Sequence, residues 1–269
     1  MGFFQLTPLS RLTKILILLL GIIIVFYAGY ELAIFQTQKN YTLLPHINFT
    51  SNSSGGNCPD GETPGYTPLP NATQETCLRP GALYEPVIYL YPTHQENVHV
   101  KVSYPGGFSE TIPAYNAQTG WQVSAQPDGT LTNQSDGKTY PYLVWEGNPD
   151  PSLLHFDMSK GFVVSGNDTQ KFLQQQLPAM GLNQSETTAF IAFWLPKLAH
   201  NPYNLIHFSG SEYTNAAKLS VSPKPDSVLR VFMAFKPLSH PSKVTPQSLA
   251  PFQRHGFTVI EWGGTEVTE

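Results

Sequence analysis

PVIYLYP (residues 86–92) and VHVKVSY (residues 98–104) stand on either side of the polar linker THQEN (residues 93–97), and together they open the reading of this chain. In the second run Val98, Val100 and Val102 alternate with His99, Lys101 and Ser103. Neighbouring side chains of a strand point to opposite faces, so this period of two predicts a half-buried strand. Working outward, GWQVSA (120–125) leads through Gln126-Pro127-Asp128-Gly129 into TLTN (130–133). Asp136-Gly137 then leads into KTYPYLVWEG (138–147). Turn residues at these intervals are those of antiparallel hairpins.

The middle of the chain changes period. NDTQKFLQQQLPAMG (167–181) sets Phe172, Leu173, Leu177 and Met180 at helical spacing, with Asn167 or Asp168 as cap and Gly181 as stop. NQSETTAFIAFWLPKLAH (183–200) follows, with Asn183 and Glu186 in the spacing of a capping box. Its stripe is Phe190, Phe193, Trp194 and Leu198, and Pro196 is expected to end or kink it. YNLIHF, AKLSVSP, SVLRVFMAFKPL and FTVIEWGG then return to strand-like runs bounded by Pro or Gly. Strands, two central helices, strands: the order predicts an α+β domain over residues 84–269 with a largely antiparallel β-sheet.

Two sets of motifs resemble a group of uncharacterised exported or membrane-anchored bacterial proteins. The first runs from EPVIYLYP through PAYN and GWQVSAQPDGTL to YPYLVWEG. The second comprises KGFVVSGNDTQKFL, FIAFWLPKL, NPYNLIHF, PDSVLRVFMAFKPL and HGFTVIEWGG. The likeness covers most of Glu85 to Gly264 and implies one unit rather than two unrelated domains. It implies no activity. In that group the first block often begins with Lys where this chain has Glu85.

Upstream, residues 15–35 read ILILLLGIIIVFYAGYELAIF, with Glu31 as their one charge and Arg11 and Lys14 just before them. A helix of that length reaches roughly 30 Å, the hydrocarbon thickness of a bilayer. Both nearby cations precede the run, so the positive-inside rule keeps residues 1–14 cytoplasmic and sends the C-terminal part across. A cleaved signal peptide would want small residues at −3 and −1. Cutting after Ala28, Gly29 or Ala33 puts Phe26, Tyr27 or Glu31 at −3. The expectation is an uncleaved single-pass anchor whose partner is the lipid bilayer.

Residues 36–83 are rich in Asn, Ser, Thr, Gly and Pro, too poor in large apolar groups to offset ordering entropy, and read as a flexible stalk. The stalk holds both cysteines of the chain, Cys58 and Cys77, which in an exported segment predict a disulfide. Closing such a loop removes chain entropy worth roughly 3 kcal/mol. Half of the fourteen asparagines stand in N-x-S/T context. Asn40, Asn48, Asn52 and Asn71 lie in the stalk and are the glycosylation candidates; Asn133, Asn167 and Asn183 lie beyond it.

Net charge is −4 and charged residues make up 13% of the chain, without the basic stripe that a nucleic-acid surface needs. No metal-ligand spacing, phosphate loop, G-x-S-x-G or dinucleotide fingerprint occurs, so no cofactor and no metal are expected. Glu146 and Glu261 each stand beside a tryptophan before glycine. Facing each other across a cleft, they could serve a carbohydrate hydrolase as general acid and as base or nucleophile. Arg230, inside VLRVFMAF, suits an ion pair or a ligand clamp. Trp145 and Trp262 are candidates for a ligand platform. The leading expectation is a noncatalytic extracytoplasmic module for glycan or surface protein; the alternative is the hydrolase.

Overall fold

The computed structural model describes residues 81–150 and 152–267, together with the backbone of 63–69 and 72–78. The expected anchor and glycosylation sites of the stalk, and Cys58, lie outside the described residues. Among the described residues no helix is long and apolar enough to cross a membrane. In the stretch read as stalk, β1 (Thr63–Leu69) and β2 (Ala72–Leu78) form a two-stranded sheet of their own. Pro64 and Pro68 share one parity along β1, so one edge can hold both missing N–H groups without loss to the ladder.

The body is sheet-rich α+β. A seven-stranded sheet runs in the order β10 (Phe162–Ser165), β11 (Tyr203–Ser209), β13 (Ser227–Leu238), β14 (Thr258–Glu266), β3 (Tyr84–Tyr91), β9 (Leu143–Gly147), β5 (Phe108–Ile112). A five-stranded sheet runs β12 (Lys218–Ser222), β4 (Glu96–Ser103), β6 (Trp121–Ala125), β7 (Leu131–Asn133), β8 (Thr139–Tyr140). Within these two sheets the strand pairings are antiparallel except β13 with β14. The large sheet is the middle of three layers. One face packs on α1 (Thr169–Met180) and α2 (Gln184–Leu198) through Leu173, Leu177, Phe190, Trp194 and Leu198. The other packs on the small sheet through Ile88, Leu90, Val98, Val100, Trp121 and Trp145.

This layering explains the two opening runs. Val98, Val100 and Val102 of β4 turn inward while His99, Lys101 and Ser103 do not. PVIYLYP lacks that alternation because β3 is covered on both faces: Val87 and Tyr89 face the helices, Ile88 and Leu90 the small sheet. KTYPYLVWEG is two strands rather than one. Pro141 ends β8 in the small sheet, and the chain restarts as β9 in the large one.

Asn183 Oδ1 accepts from the backbone N–H of Glu186 (2.9 Å), whose carboxylate accepts from Asn183 N–H (2.8 Å), so the capping box forms. That use of Asn183 conflicts with a glycan there; Asn133, 2% exposed, is equally unsuited. Gly181 ends α1 at φ +109. Asp168 makes no side-chain cap bond to α1; Ser165 instead caps a 3-10 turn that precedes it. Helix α2 continues through Pro196 to Leu198 rather than stopping there. A short helix, α3 (Ser211–Ala216), follows β11.

Parallel pairing of β13 with β14 needs a crossover, supplied by residues 239–257, and side chains clip it in place. Gln247 brackets the backbone of Phe208 (2.9 and 3.1 Å). Arg254 donates to Gly181 O and pairs with the fully buried Glu186. On β14, Gly264 is required by close approach. A Cβ there would lie 2.5 Å from Met233 O and 2.6 Å from Trp194 Cζ2. Gly264→Ala is expected to cost about 1–3 kcal/mol through overpacking, measured as a lowered midpoint in denaturant unfolding; an unchanged midpoint would mean that the layers there yield.

Candidate functional site

Glu146 and Glu261 do not face each other. Trp145 Nε1 donates to Glu261 Oε1 at 3.3 Å in the core between the two sheets. Glu146, the next residue of β9, therefore points to the helical face, beside Val144. With a sheet between the carboxyls, they cannot serve as acid and nucleophile on one glycosidic bond. Both glutamates and both neighbouring tryptophans are buried, so no cleft opens between them. Trp145 and Trp262, 0% and 2% exposed, pack in opposite cores and present no platform to a ligand.

Arg230 and Glu261 are register partners on β13 and β14 and form an ion pair. Arg230 Nη1 also donates to Ala217 O (2.7 Å), and its guanidinium lies 4.7 Å from the Tyr213 ring centre. Burial would pull the guanidinium down, but Glu261 and Tyr213 outweigh it and hold Arg230 above its ordinary value. The pair thus ties the middle of the large sheet to the segment before β12. That is an architectural role, and it uses the charge that a ligand clamp would need.

A different constellation comes together on the helical face. Register places Glu110 of β5 opposite Glu146 of β9. The pairing of Val87 with Val144, continued along the strands, brings Glu85 of β3 beside Glu146. Three carboxyl groups therefore form a row across three adjacent strands, an arrangement that like charges disfavour. Burial is graded along it: Glu85 is 1% exposed, Glu146 9%, and Glu110 half-buried on the outermost strand. Lys197, in the last turn of α2, supplies the opposing charge. Its Nζ donates to Phe193 O (2.9 Å) and sits 3.5 Å from the centre of the Phe193 ring.

A bulge makes the row possible. The β14–β3 register slips between Trp262 and Gly264, and Glu85 takes φ +51. Left-handed backbone costs a residue with a Cβ on the order of 1 kcal/mol, and such strain gathers at functional positions. Burial, then the neighbouring Glu146, raises the Glu85 carboxyl well above its usual range, with Lys197 opposing. Burial and Glu110 push Glu146 up to about 7, against the pull of the Glu85 N–H and Lys197. Burial lowers Lys197 to about 8, opposed by Glu85 and Glu146. Burial thus favours the neutral form of Glu85, Glu146 and Lys197, and the attraction between the lysine and the two carboxyls opposes it. Oε1 of Glu85 and of Glu146 has no hydrogen-bond partner among the described residues. Tyr142, half-buried just before β9 and packed against the helical-face core, is raised by burial and Glu85.

One other polar grouping is structural. His207 Nε2 and Ser209 Oγ both contact Glu212 Oε2 (3.2 and 3.0 Å), and His207 Nδ1 is held by Lys160 O (2.9 Å). Serine and histidine share the carboxylate without touching each other, so this is no relay. A groove of about 500 Å³ beside β10 is lined by Phe162, Val164, Phe172 and Val244, away from every candidate residue. Among the described residues no three metal-ligating side chains converge.

No family model matches the chain, and no solved structure matches it. An uncharacterized protein in the bglA 3′ region of Butyrivibrio fibrisolvens is 46% identical over 66 residues. The match covers 24% of this chain and 66% of that protein, just under two thirds of its length.

Proposed function

We propose that this chain is a single-pass membrane protein that holds a noncatalytic binding body outside the cytoplasm, for a glycan or a surface protein of the envelope. The apolar run at residues 15–35, with its cations on the N-terminal side, supports the topology. The acid–lysine row carries the binding role. It is polar, strained and incompletely hydrogen-bonded, and it runs from the core to an outer strand. The hydrolase alternative has lost its pair, since Glu146 and Glu261 lie on opposite faces of one sheet. Protease added to intact cells is expected to digest the body of a C-terminally tagged full chain while a cytoplasmic control survives. Protection of the tag beside a digested surface control would overturn the topology. Affinity capture with the detergent-solubilised full chain should retain an envelope component; capture of none would overturn the binding role.

A further inference from the structure

We infer that the row Glu110–Glu146–Glu85, with Lys197 above it, is a binding site for the hydroxyl groups of an uncharged saccharide. The inference rests on the binding-module reading and names the ligand class of that site.

Chemistry selects the class. A hydroxyl both donates and accepts, so adjacent hydroxyls of a sugar ring need donors and acceptors close together. The row offers both. Oε1 of Glu85 and Oε1 of Glu146 are buried and without a partner among the described residues. Leaving such atoms unpaired is costly, so they mark a place where a polar group from outside the protein is accommodated. Lys197 is half-buried and spends one of its three donors on Phe193 O.

Charge excludes the nearest competitors. A bare metal ion would need converging ligands, which the described residues do not provide. A cationic amine would meet the ammonium of Lys197, and a uronate or phosphate would set its oxygens against the oxygens of three carboxyl groups, two of them already unpartnered. An uncharged polyol escapes both penalties. Glu110, half-buried on the outermost strand, is the exposed end of the row, and Tyr142, whose ring meets Tyr89 edge-on, is its aromatic neighbour.

The test uses the full chain in detergent micelles on an array of neutral, amino and uronic oligosaccharides. The best neutral binder is then titrated calorimetrically into wild type, Glu146→Gln and Lys197→Met. Thermal melts of each variant confirm folding, and Glu110→Gln provides a milder change at a half-buried position. The expected result is retention of neutral oligosaccharides, with affinity at least tenfold weaker for Glu146→Gln and Lys197→Met and a smaller loss for Glu110→Gln. Neutral binding that none of the folded variants weakens would overturn the site while leaving the module standing. Retention of amino or uronic sugars alone, or of no sugar while a surface protein is captured, would overturn the ligand class. Failure to retain any sugar or envelope component would remove the module as well.

Discussion

Glu261→Gln is expected to lower the unfolding free energy by about 3–5 kcal/mol, the usual loss when one member of a buried ion pair is neutralised. Glu261 is 0% exposed, and the side chain of its partner Arg230 is 11% exposed. Without the carboxylate, a guanidinium held charged would stay between the sheets with Ala217 O as its main remaining anchor. Trp145 Nε1 would keep an amide oxygen as acceptor, so the loss reports the charge rather than the indole contact. Denaturant unfolding of the full chain in micelles measures it. Arg230→Met combined with Glu261→Leu should recover most of the deficit, because two apolar side chains leave no isolated charge. A double variant worse than Glu261→Gln would show that the pair itself, and not the stranded partner, stabilises the sheet.

The second large effect depends on pH. Glu146 holds its proton to about pH 7 in the folded body, against 4.5 for an ordinary glutamate. Between those values the folded state binds one more proton than the unfolded chain, so stability falls as pH rises. Glu85, raised in the same sense, adds to the decline. Lys197 works in the opposite window. Its folded value of about 8 lies below 10.5, so across that interval the unfolded chain binds the extra proton and stability rises with pH. The unfolding free energy should therefore drop from about pH 4.5 to 7 and recover above 8. Glu146→Gln removes much of the falling limb: near wild type at pH 4.5, it is expected to be about 2–3 kcal/mol more stable at pH 7.5. A wild-type profile flat from pH 5 to 7.5 would mean that the row is ionised throughout and solvated.

Short-range features of the chain carried much of the fold. The valine alternation of β4, the Asn183–Glu186 box and the Gly181 stop each depend on residues within a few positions of one another, and each is realised. The α+β order was legible for the same reason. Strand β5 was not, since FSETI has apolar residues only at its ends. The break at Pro141 was hidden because apolar residues resume directly after it. The acid row was harder still. Glu110, Glu146 and Glu85 are neighbours only through the register of β5, β9 and β3, and Glu85 reaches the helical face only through a bulge that pairing with β14 creates. Glu146 stands out in the sequence by the tryptophan beside it, yet that tryptophan serves the other face. One signal was present: Glu85 is a charge at the head of an apolar run whose strand is buried on both sides.

Strand β14 lies between β13 and β3 at the heart of the large sheet, although it is the last of the strands in chain order. A nascent polypeptide that has left the ribosome only as far as residue 257 lacks the strand that joins the two halves of that sheet. Each half would then keep one strand edge without its partner. Completion of the large sheet therefore waits for residues 258–266, the strand on which its two halves close.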